Sequence, residues 1–200
     1  MKLLLASSNH GKLREYAEMG RGADLELDLI PGFVEFPVFE ESAPTFAENV
    51  TGKVLHYTRF TDETVLADDS GLVVPALDGA PGVHSARYAG PVASDAERVQ
   101  KLLREMSGME GEARRAKFVC IIALARQGHP IAVVSDFARG VITKEPRGTG
   151  GFGYDPVFMF EELGRTYAEF TPEEKNHYSH RGKAFRKLLY VISPSTAGIF

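Results

Sequence analysis

Two hundred residues, 44% hydrophobic and 25% charged, describe an ordinary globular chain, long enough for one domain or two small lobes with a substantial core. The formal net charge of −4 excludes broad attraction to nucleic acid polymers or anionic membranes, so a polyanionic partner needs a local cluster of Lys and Arg. The single cysteine, Cys120, excludes an internal disulfide and a cysteine-based zinc site; it lies in an apolar run and reads as a small buried hydrophobe, which suits a reducing cytoplasm.

Residues 3–6 are a short apolar run that predicts the first strand. The polar residues after it come too soon for a signal-peptide core, and no segment is long and apolar enough to span a bilayer. Ser7-Ser8-Asn9-His10-Gly11-Lys12 is a loop of small and polar residues, with helical character from 13 to 18. Strand, Gly-containing loop and helix place backbone N–H groups, a helix N-terminus and Lys12 around a candidate anion. The Walker A spacing is absent, and Ser7 and Asn9 read equally as ordinary helix caps.

Residues 20–44 are irregular, with Gly20, Gly22, Pro31, Gly32, Pro37 and Pro44 interrupting short strands, and Glu40-Glu41 stands just before the next helix. Thr45-Phe46-Ala47-Glu48 predicts a capping box. Phe46, Val50, Val54 and Tyr57 predict one buried stripe. Lys53, beside that stripe and on one face with Asn49, either snorkels or faces a site.

Thr64-Val65-Leu66 predicts a buried strand, and Ala67-Asp68-Asp69-Ser70-Gly71 a turn after it. Adjacent carboxylates at a strand end are poor core material. In a strand they would diverge; a turn at Ser70-Gly71 would let them converge. Such a pair suits a hard cation such as Mg²⁺; a solvated turn with an Asx-type hydrogen bond is the alternative. Residues 72–77 predict a further strand ending near Pro75. Residues 78–90 form a long turn-rich loop whose Arg87 faces a phosphate, a partner subunit or solvent.

Ser94-Asp95-Ala96-Glu97 predicts a second capping box, followed by the stripe Val99, Leu102, Leu103 and Met106. Residues 116–125 and 131–135 predict a β-hairpin with a loop of several residues, its second arm continuing past a bend into 137–142. Residues 146–156 carry four glycines within six positions, an entropic cost. A flexible linker would carry such glycines, but Phe152, Tyr154 and Asp155-Pro156 are not linker residues. Glycine beside an aromatic lets backbone approach a flat ligand and leaves the Phe152 ring free to stack. Thr171-Pro172-Glu173-Glu174 is a third capping box with Pro at the first helical position and Lys175 close behind. Ser179-His180-Arg181-Gly182 interrupts that helix. Ala184, Phe185, Leu188, Leu189 and Ile192 predict the stripe of a last one. Cations at a helix start oppose the macrodipole, so His180 and Arg181 suit ligand contact better than stability. The tail 193–200 is expected to be loosely held.

Together these places offer an acidic group for Mg²⁺, cations for phosphates and an aromatic for a base, which points to a Mg²⁺-dependent enzyme acting on a nucleotide. With Ala6-Ser7-Ser8-Asn9-His10-Gly11-Lys12, Thr45-Phe46-Ala47-Glu48-Asn49, Ala67-Asp68-Asp69-Ser70-Gly71-Leu72, residues 79–88, residues 148–156 and Ser179-His180-Arg181-Gly182, the chain resembles the inosine triphosphate pyrophosphatase family, also called XTP/dITP pyrophosphatases, over nearly its whole length. Ser8 departs from the Gly of many members. The resemblance implies an α/β fold with an elongated central mixed β-sheet flanked by helices, two lobes with an active-site cleft between them, and a homodimer. It implies a single domain over 1–200 that hydrolyses ITP, dITP and XTP to the monophosphate and pyrophosphate, keeping deaminated purines out of DNA and RNA.

By the same resemblance, Ser7, Ser8, Asn9, His10, Gly11 and Lys12 hold the triphosphate with help from Lys53. Glu41 and Asp69 contact Mg²⁺, with Asp68 and Glu40 nearby. Asp69 is the proton acceptor, although an ordinary carboxylate near pKa 4 is a weak base. Ser70 touches the substrate, Phe152 stacks the purine, Gly153, Tyr154 and Asp155 line the base pocket, and Lys175, His180 and Arg181 surround the base and its keto oxygen. Three other readings stay open: a Maf-like pyrophosphatase of other base specificity, a non-catalytic nucleotide sensor, and a phosphatase releasing single phosphates.

Overall fold

A computed structural model describes residues 2–21 and 25–192; Gly22 and the tail 193–200 lie outside the described residues. Seven strands form one mixed sheet: β1 (Lys2–Leu5), β2 (Glu26–Leu29), β3 (Val65–Val73), β4 (Arg115–Arg126), β5 (His129–Ile142), β6 (Phe158–Phe160) and β7 (Arg165–Thr166), in the order β2-β1-β3-β4-β5-β6-β7. β1 runs parallel to β2 and β3, whereas β5-β6 and β6-β7 are antiparallel. The helices are α1 (His10–Gly20), α2 (Phe46–Tyr57), α3 (Asp95–Glu105), α4 (Pro172–Tyr178) and α5 (His180–Ile192). The α/β class and the mixed sheet flanked by helices are as expected. Among the described residues no helix is long and apolar enough to cross a membrane.

The chain forms two compact units, the first of Met1–Asp69, Cys120–Asp136 and Arg181–Phe200, the second of Ser70–Val119 and Phe137–His180. In the first, strand alternation creates two cores. Leu3, Leu5 and Leu66 pack with Tyr16 of α1 and Phe185 and Leu188 of α5. Leu4, Val65 and Ala67 pack with Val50, Val54 and Tyr57 of α2. The second unit has one core, in which Leu72, Phe118, Phe158 and Tyr167 meet Val99 and Leu102 of α3 and Met106 just after it.

The helix starts follow the sequence rules. Ser94–Glu97 and Thr171–Glu174 are reciprocal capping boxes. At Thr45 only half of the expected box forms: Oγ1 accepts the Glu48 N–H at 3.2 Å. Five expectations are corrected. No turn follows Asp69: β3 continues to Val73, and the strand expected at 72–77 is its end plus a 3₁₀ turn at Pro75–Leu77. The hairpin between β4 and β5 has only Gln127 and Gly128 at its tip, with φ of 48° and 79°. Two left-handed residues match the twist of the flanking strands, and β5 runs on to Ile142 without a break. On α2, Asn49 is 1% exposed and takes the buried place expected of Phe46, which is half-buried. Its side chain accepts the Ala43 N–H at 2.9 Å and donates to the Ala43 carbonyl at 3.2 Å, so a polar group satisfies the backbone in a place hydrophobic patterning assigns to an apolar one.

Candidate active site

Because β3 stays extended, Asp68 and Asp69 fall on opposite faces of the first unit. Asp68 follows Leu66 toward α1 and α5, and Asp69 follows Val65 and Ala67 toward α2. Asp68 is fully buried. Lys12 Nζ lies 3.1 Å from Oδ1, and Arg181 Nε donates to Oδ2 at 3.2 Å. Burial opposes ionisation, but Lys12, Arg181 and Lys53 outweigh it and hold the carboxyl at about 2. Arg181 is itself buried and pairs through Nη1 with Glu15 of α1.

Asp69 is treated oppositely. It is 6% exposed, and its Oδ2 has no hydrogen-bond partner among the described residues. Burial, with the negative charges of Glu41 and Asp68, pushes its carboxyl up to about 6 against the pull of Lys12 and Lys53. Two neighbours of one type are thus a permanent anion and a group poised near neutrality. Lys53 donates to Glu41 Oε1 at 2.8 Å and to the Asp68 carbonyl at 3.4 Å. Burial lowers its pKa, but Glu41 and Asp68 prevail and raise it. Its ammonium is therefore turned toward Glu41 and Asp68 rather than out to solvent.

The loop before α1 realises the capping reading. Asn9 Oδ1 accepts the N–H groups of Gly11 and Lys12 at 2.9 and 3.1 Å, and Ser7 Oγ accepts that of Asn9 at 3.2 Å. Two amides expected for an anion are therefore taken by the cap. Ser8, Asn9 and His10 are exposed, Ser7 and Gly11 buried, and Lys12 reaches Asp68.

The second unit gathers the aromatic set. Asp155 is buried; its Oδ2 accepts the Phe152 N–H at 2.7 Å and pairs with Lys175, whose ammonium lies 4.6 Å from the centre of the Phe152 ring. A side chain at Gly151, φ 71°, would place its Cβ 2.1 Å from Asp155 Oδ2, and one at Gly148 would meet the Ala168 backbone at 2.6 Å. These glycines make room for protein, not only for a ligand. Tyr154 is buried and donates its hydroxyl to the Ser85 carbonyl at 2.9 Å, so it anchors the loop. Ser70 is half-buried on β3. His180 is buried, with its ring stacked 4.6 Å from that of Phe118.

Lys12, Lys53, Glu41, Asp68, Asp69 and Arg181 thus belong to the first unit, and Ser70, Phe152, Gly153, Tyr154, Asp155, Lys175 and His180 to the second. Arg181, expected near the base, has its charge met by Glu15 and Asp68. Glu15 was not singled out by sequence reading; the available signal was a carboxylate beside Tyr16 on the buried side of α1.

Among the described residues no group of three or more His, Cys, Asp or Glu stands ready for a metal. Glu41 and Asp69 nevertheless fit a hard divalent cation. They are oxygen donors that repel one another, one has a buried oxygen without a hydrogen bond, and Mg²⁺ takes few protein carboxylates and fills its remaining positions with water and phosphate oxygens.

Fold and site define an α/β protein whose strand β3 carries one carboxylate neutralised by cations and one with a raised pKa, beside two lysines. The chain belongs to the Ham1 family, whose model matches residues 3–191. It is 49% identical over 187 residues to the dITP/XTP pyrophosphatase of Geobacillus kaustophilus (strain HTA426), covering 94% of this chain and 92% of that protein. It is 48% identical to the dITP/XTP pyrophosphatase of Geobacter sulfurreducens (strain ATCC 51573 / DSM 12127 / PCA), covering 94% of each. A solved HAM1 protein from Coxiella burnetii superposes with a TM-score of 0.86 at 41% identity, covering 97% of this chain and 99% of that one. The family resemblance carried by the motifs is borne out.

Proposed function

We propose that the protein hydrolyses dITP, XTP and ITP to the nucleoside monophosphate and pyrophosphate with Mg²⁺, as a cytoplasmic homodimer that clears non-standard purine nucleotides. That it is a nucleoside triphosphate pyrophosphatase follows from its family and its curated relatives. The whole chain, 1–200, serves as one catalytic domain. The observation that carries the reading is the division of labour on β3: Asp68 is paired with Lys12 and Arg181, whereas Asp69, under the charge of Glu41, keeps a buried oxygen without a hydrogen bond among the described residues.

One water is consumed across the α–β phosphoanhydride. Asp69 takes a proton from that water, for which its buried Oδ2, without a hydrogen-bond partner among the described residues, is the acceptor. Lys12 and Lys53 bind the triphosphate through their ammonium groups, with Ser7, Ser8, Asn9 and His10, and Ser70 contacts the substrate. Glu41 and Asp69 hold Mg²⁺, which when bound supplies charge neutralisation for the phosphates and an ordered water. Phe152 stacks the purine, and Gly153, Tyr154, Asp155 and Lys175 shape its pocket. Lys175 and His180 present donors to the 6-keto oxygen, Arg181 being engaged with Glu15 and Asp68. Adenine, with an amino group there, would leave those donors unpaired. Ile131, Val133 and Phe137 of β5, 53%, 49% and 44% exposed, project from one face of the strand and suit a second copy.

The test is product analysis with ITP, XTP, dITP, GTP and ATP, in Mg²⁺ and in chelator. Pyrophosphate plus monophosphate, metal-dependent and favouring the first three, is expected. Orthophosphate would make the protein a phosphatase, another base preference would make it Maf-like, and binding without turnover would make it a sensor.

A further inference from the structure

The loop that carries Phe152 is held by two carboxylates, only one of which belongs to it. Asp155 takes the amide of Phe152. Asp95, the first residue of α3, takes the next amide, accepting the Gly153 N–H on Oδ2 at 2.6 Å. These are the two peptide groups on either side of the Phe152 Cα, so together they set the direction in which its ring leaves the backbone. Gly153, φ 62°, has open space where a side chain would stand.

Asp95 is itself tethered. Its Oδ1 pairs with Arg98 Nη2, and Arg98 Nη1 donates to the carbonyls of Ala86 and Ala93 at 2.8 and 2.5 Å. Nor is Asp95 needed as a cap: Ser94 and Glu97 complete the capping box without it, with Ser94 N–H donating to Glu97 Oε2 at 2.7 Å. An acidic residue in a first helical turn is usually explained by the macrodipole; here its carboxylate is spent on the loop.

We propose that Asp95 is a positioning residue for base recognition, holding the Gly153 amide so that the Phe152 ring is presented to the purine. The proposal rests on the reading that Phe152 stacks the base. It is tested in the full-length protein by steady-state kinetics with ITP and by competitive inhibition with inorganic tripolyphosphate, which has no base. Asp95→Ala is expected to raise KM for ITP about tenfold, the loss of one charge-assisted hydrogen bond, with kcat changed less than about twofold and tripolyphosphate inhibition unaltered. Asp95→Asn keeps an acceptor for Gly153 and is expected to restore most of the KM. An unchanged KM in Asp95→Ala, or equal losses in ITP and tripolyphosphate affinity, would overturn the proposal. Should Asp95→Ala fold poorly, an Asp95→Asn enzyme with an ITP KM about tenfold above wild type would overturn it as well. Phe152→Ala separates the two readings: a raised KM there beside an unchanged one in Asp95→Ala removes Asp95 alone, whereas unchanged KM in both removes base stacking too.

Discussion

The two faces of β3 treat the same side chain in opposite ways. On the α1–α5 face, Asp68 is enclosed by Lys12 and Arg181 and serves as the counter-ion of a buried network that includes Glu15. On the α2 face, Asp69 meets Glu41 and is kept from full ionisation near neutral pH. The difference teaches that a carboxylate's role is decided by the sign of what surrounds it, and that extended backbone between two neighbours suffices to give them different surroundings. A neutralised carboxylate and one with a raised pKa need not be far apart.

Exchanging the reactive member tests the contrast most severely. Asp69→Asn is expected to lower turnover of ITP about a thousandfold or more while the protein still melts cooperatively; near wild-type rates in a single-turnover assay would assign the chemistry elsewhere. Asp68→Asn should act on stability first, because Lys12 and Arg181 are left facing a neutral group in a buried site. A loss of about 3–5 kcal/mol is expected in urea unfolding, and a change within about 0.5 kcal/mol would mean that the network is not structural.

Acidity sharpens the comparison. Asp69 keeps its proton to about 6 in the folded protein and to about 3.8 unfolded, so between those values the unfolded chain releases a proton that the folded one retains. Metal-free wild-type protein should therefore lose stability relative to Asp69→Asn as pH rises from 4 to 6, levelling off above, by about 3 kcal/mol. A pH-independent difference in chelator would refute the raised pKa. Added Mg²⁺ should narrow the gap by stabilising wild type more than the variant. The smallest effect lies off β3. Phe152→Ala leaves both carboxylates in place and should raise KM for ITP about tenfold, with urea stability and tripolyphosphate inhibition close to wild type. Unchanged apparent affinity for ITP would count against stacking.

Much of this was legible in the chain. Caps at Ser94 and Thr171, the stripe from Val99 to Met106 and the apolar hairpin depend on neighbours one turn or two residues away, which local spacing encodes. Lys12, Lys53, Glu41 and Asp69 could be named because charged residues in otherwise apolar or small-residue settings stand out. The course of β3 could not be read. Asp-Asp-Ser-Gly has every mark of a turn, and only cations brought from α1 and α5 make an extended path through buried space tolerable. Glu15 and Asp95 escaped for a related reason: alone, one is an ordinary helical glutamate and the other an ordinary first-turn aspartate. By itself, then, the sequence determined the elements, the family and the residue types of the site. Tertiary structure decided which aspartate is neutralised and which is poised, and which distant carboxylate holds the Phe152 loop, because solvation and charge pairing depend on residues that the chain separates and folding brings together.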